Sequence, residues 1–299
     1  MPLSSRSSGP RTWSSEPTPG WGRRPGAAGT AGPGTPGSTA WLIGISVILQ
    51  QRLALAARVT LHHVVYFKQL LSGRQVATSN STAGQMANFM YLVGDPQSRK
   101  ALIVDPAWDV DSLVRIARED GYEIAGALVT HYHPDHVGGD LFGLQVQGVA
   151  TLLEQESVPL YVNKHEAEGL KIVTGVSDND MRKVDDGDTL GVGDLTIRFM
   201  HTPGHTPGSQ CFLVGDRLVA GDTLFVQGCG RVDLPGSDPD QMYYSLTQKL
   251  AKLPPETVLY PGHDYGMTET STIADELKNN IYLRISSIED WRRLMGRGP

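Results

Sequence analysis

A mixed α/β domain of the α+β kind, with strands followed by helices twice over, is what this sequence predicts. Three observations carry that prediction: short β-rich apolar runs closed by turn residues, apolar residues at helical spacing after the early runs, and a His or Asp at the tip of four separate strand-to-loop transitions. The folded part begins with Val64-Val65-Tyr66-Phe67. Residues 88–93 and 101–104 are β-rich runs joined through Gly94-Asp95-Pro96, a turn signal. Val110, Leu113, Val114 and Ala117 then recur at helical spacing, and Gly121 closes the helix. Residues 127–130 form the next strand, 141–156 read as a helical insertion, and 159–162 as a further strand. Residues 195–200 alternate as a strand, while 210–214 and 218–220 read as a hairpin about Gly215-Asp216. Ser237-Asp238-Pro239-Asp240 offers cap-type residues and a first-turn proline before a helix to about Leu253, and 275–294 reads as a final helical segment. No solenoid-type repeat is visible.

The stretch Thr130-His131-Tyr132-His133-Pro134-Asp135-His136 places four metal-ligand side chains within six residues. Histidines this close repel one another once protonated, whereas a divalent cation takes neutral imidazole and ionised carboxylate as ligands. His131 and His133, two apart in extended chain, can point the same way; Asp135 and His136 lie past Pro134, where the chain turns, which suggests two sites. Three further places supply ligands. The loop His201-Thr202-Pro203-Gly204-His205-Thr206-Pro207-Gly208 is rigid and turn-forming, Asp222 ends the run 218–220, and His263 follows 257–259 through Tyr260-Pro261-Gly262. Any one of these alone is more often a surface or capping residue. Four together make convergence on one rim the better explanation.

The ordered set H-x-H-x-D-H, H-T-P-G-H-T, G-D-T-L-F and P-G-H resembles the metallo-β-lactamase superfamily, over roughly residues 64–289. The resemblance implies a four-layer αββα metallo-β-lactamase sandwich. It implies one metal held by His131, His133 and His205, a second by Asp135, His136 and His263, and Asp222 bridging the two. His205 takes this role over His201 because it directly precedes Thr-Pro-Gly-Ser; His201 is then a strand-end residue or a donor to a ligand. Two Zn2+ per chain suit these donors, and Fe2+ or Mn2+ also fit. In that chemistry a metal-bound water, its pKa lowered to about 7, attacks a carbonyl, with Asp135 both ligand and orienter of the nucleophile. Ser209 is a turn residue in this reading, not a nucleophile.

Gly228-Cys229-Gly230-Arg231 after Gly221-Asp222-Thr223-Leu224-Phe225 is similar to glyoxalase II (hydroxyacylglutathione hydrolase) and to persulfide dioxygenases. The resemblance implies that Arg231 meets a substrate carboxylate, for which a guanidinium is suited; the plainer alternative pairs it with Asp233 or Asp238. Cys229, between two glycines, is expected to pack rather than ligate. Val232-Asp233 stands where glyoxalase II has an aromatic pair, and only 36 residues follow His263. Arg231-Val232-Asp233 and Pro261-Gly262-His263-Asp264-Tyr265 lean towards the dioxygenases, and Asp135-His136-Val137-Gly138-Gly139 towards the hydrolases. The expected activity is therefore glyoxalase II-like hydrolysis of a thioester or related acyl bond. The alternative is a mononuclear iron persulfide dioxygenase using His131, His205 and Asp222.

Composition narrows the partners. Residues 1–75 carry eight Arg or Lys against Glu16 alone, a net +7, which leaves −13 for the rest of a chain whose total is −6. An acidic catalytic portion argues against nucleic acid, which needs a basic surface, and for a small-molecule acyl substrate. Assembly into a homo-oligomer is compatible with the sequence. Two cysteines give no disulfide framework and fit a reducing compartment, the cytoplasm or an organelle matrix. Residues 1–40, with seven prolines, eight glycines and seven serines, read as a disordered leader. Residues 41–60 hold a nine-residue apolar run, too short for the ~20 residues of a membrane span. Ala54-Leu55-Ala56 suits signal cleavage, the Arg- and Ser-rich composition suits a transit peptide, and a true start further on is the third option. Residues 61–299 are taken as the catalytic domain with a short helical tail.

Overall fold

Alternation of burial along the strands divides this chain into layers. The computed structural model describes residues 64–296, so the expectations for residues 1–40 and 41–60 lie outside the described residues. In the first half, β1 (Tyr66–Leu71), β2 (Phe89–Asp95) and β3 (Lys100–Val104) form an antiparallel meander. Then β4 (Glu123–Leu128), β7 (Leu160–Asn163) and β8 (Met181–Val184) add in parallel, in the order β1-β2-β3-β4-β7-β8. Phe89, Tyr91, Val93, Leu102, Val104 and Leu128 face one way, and Met90, Leu92, Ile103, Ala127 and Val129 the other. Both faces are buried, which is why these strands read as continuous apolar runs.

The second sheet repeats the device. It contains β9 (Thr189–Val192), β10 (Leu195–His201), β11 (Gln210–Val214), β12 (Arg217–Gly221), β15 (Val258–Pro261) and β16 (Ser271–Thr272) in the order β16-β15-β12-β11-β10-β9, and between β12 and β15 the chain forms a separate short hairpin of β13 (Leu224–Phe225) and β14 (Gly228–Cys229). Ile197, Phe199, Phe212, Val214 and Val219 meet the inward residues of the first sheet, and Met200, Cys211, Leu218, Ala220 and Leu259 face outward. Helix α2 (Val110–Glu119) lays Val110, Leu113, Val114 and Ala117 on the first sheet's outer face, joined there by α4 (Val149–Gln155) and α5 (Ala167–Thr174); α1 (Ser81–Met86) lies between β1 and β2 in the chain. Asp109 caps α2 by accepting from Ser112 N at 3.0 Å. On the second sheet's outer face lie α6 (Pro239–Tyr244), α7 (Ile273–Asn279), α8 (Ile281–Arg284) and α9 (Ile288–Leu294), which contribute Met242, Ile273, Leu283 and Trp291. The layer order is αββα, as the resemblance implied.

Two expectations need correction. Residues 141–156 are not one helical insertion. Gly139–Leu141 (β5) and Leu144–Val146 (β6) pair as a hairpin, turned by Phe142 and Gly143 at positive φ, and only the seven residues of α4 are helical. Gly143 and Gly148 interrupt the helix that the apolar residues suggest. Likewise 275–294 is broken, because Thr272, Asn280 and Ser287 each accept from a backbone N–H two or three residues on and start α7, α8 and α9 separately. The helix expected to Leu253 has its predicted extent, with Asp238 as cap, but continues beyond Tyr244 as a π-turn and then a 3-10 turn.

Parallel neighbours put like ends together. The C-terminal ends of β3 and β4, and of β12 and β15, are at one rim, where the sheets are stitched: Gln210 N donates to Thr130 O at 3.0 Å and Phe89 N to Gly262 O at 2.8 Å.

Candidate metal centre

All seven residues expected to act as ligands stand at this rim. Single-turn helix α3 (Pro134–Val137) has His133 at its N-cap and Pro134 in its first turn, so Asp135 and His136 swing away from the extended pair His131 and His133. His131, His133 and His205 each offer one nitrogen within 4.8 Å of the others, and so do the side chains of Asp135, His136 and His263. His133 Nδ1 and His205 Nε2 are 2.9 Å apart; His136 Nε2 and His263 Nε2 are 3.1 Å apart. Asp222 lies between the groups, with Oδ2 3.6 Å from His205 Nε2 and 3.3 Å from His263 Nε2, and Oδ1 3.3 Å from His136 Nε2. A Cβ on Gly262 would stand 2.3 Å from Asp222 Oδ1, so only glycine lets β15 pass this carboxylate.

The outer nitrogens of four of these rings are held by the protein. His205 Nδ1 donates to Arg231 O at 2.7 Å, and His263 Nδ1 to Met86 O at 2.8 Å. Asp105, which the sequence reading missed, accepts from Thr130 N (2.7 Å), Thr130 Oγ1 (2.6 Å) and His136 Nδ1 (2.9 Å). Because the Thr130 hydroxyl donates to Asp105, it accepts from His131 Nδ1 at 3.0 Å, which leaves His131 Nε2 a bare lone pair. Asp105 could also group with His131 and His136 as a ligand, but its oxygens are already taken by three donors. Asn88, also missed, donates to Asp135 Oδ2 at 2.9 Å and accepts from Trp108 Nε1 at 2.9 Å.

Electrostatics separate the two groups. Burial, then the neighbouring His136 and His133, hold His131 well below its usual pKa; burial, then His205, pushes His133 down to about 4. Burial also opposes charge on His136, yet the carboxylates of Asp222 and Asp135 overrule it and raise this histidine to about 10. Asp222 is the counterpart: burial works against its ionisation, and the fields of His263 and His136 hold it well below the carboxylate range. His131 Nε2 and Asp222 Oδ1 are buried without a hydrogen-bond partner. Unpaired neutral nitrogen and carboxylate oxygen at the centre of such a cluster are the donors a divalent cation requires, so the residues fit one.

Other expected residues fall as follows. The Arg231 side chain is 67% exposed and makes a two-pronged pair with Asp233, at 2.9 Å on each prong, which is the plainer of the two readings. His201 ends β10, bonds Pro207 O at 2.9 Å and stacks on His165, outside both ligand groups. Ser209 Oγ accepts from Thr206 N, as a turn residue does. Among the described residues no cysteine joins a ligand group, and Cys211 and Cys229 are free. Burial pushes the Cys229 thiol up to about 12. Tyr265 stacks on His263 with centroids 4.5 Å apart and remains half exposed.

Residues 83–263 match the sequence model of the Metallo-beta-lactamase superfamily. The chain belongs to that superfamily. The chain is 31% identical over 212 residues to "Probable polyketide biosynthesis zinc-dependent hydrolase BaeB" of Bacillus velezensis, covering 71% of this chain and 88% of that one. It is 34% identical over 188 residues to a hydroxyacylglutathione hydrolase of Polaromonas sp., covering 62% and 65%. The crystal structure of ETHE1 from Myxococcus xanthus superposes with a TM-score of 0.63 at 30% identity, over 77% of this chain and 90% of that one. Members of this superfamily bind divalent metals, and the metallo-β-lactamase fold with its His/Asp clusters supports an enzyme. Among the described residues no helix is long and apolar enough to cross a membrane.

Proposed function

We propose that this chain is a binuclear metal-dependent hydrolase of thioesters or related acyl compounds, with residues 61–299 as its catalytic domain. The observation that carries this reading is Asp222 set within 3.6 Å of histidine nitrogens from both three-residue groups. One carboxylate shared in this way suits two adjacent cations better than one. His131, His133 and His205 would hold the first ion, Asp135, His136 and His263 the second, with Asp222 between. Zinc is the first choice, and iron or manganese are the alternatives. Ions so held supply polarisation of an acyl carbonyl and a water whose pKa falls to about 7.

The chain's own residues do the rest. Asp135, fixed through Oδ2 by Asn88, would orient the attacking water. Arg231 can exchange Asp233 for a substrate carboxylate at little cost, because an exposed ion pair is weak. The Arg231 carbonyl meanwhile holds His205, so one loop would connect substrate binding to the first group. The Tyr265 ring offers an apolar surface beside His263. Similarity to a zinc-dependent hydrolase supports this reading.

A second reading, mononuclear iron chemistry on a thiol persulfide through His131, His205 and Asp222, is favoured by the likeness to ETHE1. Elemental analysis of the purified protein with oxygen uptake on a persulfide separates the two. Two zinc ions per chain, no oxygen uptake and turnover on a thioester panel are expected; one iron with oxygen consumption would overturn the hydrolase.

A further inference from the structure

Glu166 is a fully buried carboxylate, and among the described residues no ion pair includes it. It sits at the N-cap of α5, 34 residues from Tyr132 in the His131–His136 turn, and belongs to neither ligand group. Its three hydrogen bonds go to the two loops that carry the first group. Oε1 accepts from Tyr132 N at 2.8 Å and from Thr206 Oγ1 at 2.7 Å; Oε2 accepts from Gly208 N at 2.6 Å. Tyr132 lies between His131 and His133, and Thr206 directly follows His205. A Cβ on Gly208 would stand 2.5 Å from Oε2, so the loop approaches this carboxylate as closely as a glycine allows.

We propose that Glu166 is a positioning residue that clamps the His131–His133 turn to the His205 loop and so sets the spacing of the first metal group. This rests on the metal reading of the site, and not on which acyl bond is cleaved. The inference follows from where the bonds go. A cap residue would be satisfied by α5's own N–H groups, yet this side chain bonds across the fold to Tyr132 and Thr206, each next to a ligand, and to Gly208 of the same His205 loop. The 2.9 Å separation of His133 Nδ1 and His205 Nε2 depends on two loops that are 72 residues apart and share this one carboxylate. Hydrogen bonds from backbone N–H groups to a carboxyl oxygen are directional, which is what fixing two loops needs.

The test is a cobalt(II) titration of the full chain in a His263→Ala background, where loss of one second-group ligand makes the titration read the first group. A Gln at 166 with its NH2 towards Tyr132 releases the His131–His133 turn, and with its NH2 towards Gly208 leaves the His205 loop held through Thr206 alone, so the clamp is weakened either way. Glu166→Gln is expected to weaken cobalt binding roughly 10–100-fold, the size typical when a partner that orients a ligand is lost. Unchanged cobalt affinity alongside a lowered melting temperature would overturn the inference and leave Glu166 a purely structural residue. Should Glu166→Gln fail to fold, Thr206→Val removes a single donor: weakened cobalt binding supports the clamp, and wild-type affinity overturns it. A wild-type chain that binds no cobalt sinks the metal reading itself, and is thereby told apart from failure of the clamp.

Discussion

Asp105 orients one group and, through Thr130, the other: it receives His136 Nδ1 directly and His131 Nδ1 by way of the Thr130 hydroxyl. Replacing it by asparagine puts an NH2 either against the Thr130 N–H or against both the Thr130 hydroxyl and His136 Nδ1, and in the second case unsettles the His136 tautomer. Asp105→Asn should therefore lower affinity for the second ion roughly 10–100-fold, read as metal per chain after dialysis against dilute zinc. Arg231→Met should raise KM for carboxylate-bearing acyl substrates and leave kcat nearly unchanged, because the contact is equal in ground and transition states; a loss confined to kcat would place the guanidinium on the reacting group. At this scale the sequence was generous with ligands and silent about their supports. Imidazoles and carboxylates packed at His131–His136 are legible because few other roles need them so close. Asp105, Asn88 and Glu166 each meet these partners across 20 residues or more, and a lone polar residue after an apolar run looks like a cap. Asp105 did carry a signal, since it ends a buried strand just as Asp222 does.

Helix α3 turns the ligand run through one proline-led turn and thereby divides it between two groups with opposite protonation. In the metal-free protein His136 is held protonated up to about 10, above the ~6.5 of an unfolded histidine. A raised folded pKa contributes stability that is whole below the unfolded value and lost as pH rises through the folded one. The metal-free melting temperature should therefore fall between pH 7 and pH 10, and the metal-loaded protein, whose cation replaces that proton, should fall less. Loading the second group should also release about one proton per ion, measurable by calorimetry in buffers of different ionisation enthalpy. At the other face, α9 buries Trp291 completely and ties its indole N–H to Pro239 O at 2.8 Å. Trp291→Ala should cost about 3–5 kcal/mol by urea denaturation without changing metal content. Elements with clean periodicity, such as α2, were legible; the β5–β6 hairpin was not, because its two short arms sit within an apolar stretch that also fits a helix.

Two sheets built alike, each with one face inward and one covered by helices, give the whole molecule a seam at its rim. The strand patterns that predicted both sheets could not show that their ends meet, which depends on parallel pairings such as β12 with β15, reached only after 36 intervening residues. Of the seven side chains gathered there, His131, His133, Asp135 and His136 follow a strand of one sheet, and His205, Asp222 and His263 follow strands of the other. Ions at the seam would therefore act as rivets between half-molecules, linking residues up to 128 positions apart in a chain with no disulfide. A bond of that reach resists the first parting of the halves. Chelation should thus show itself as faster global unfolding after a jump into denaturant, and not merely as a loosened loop.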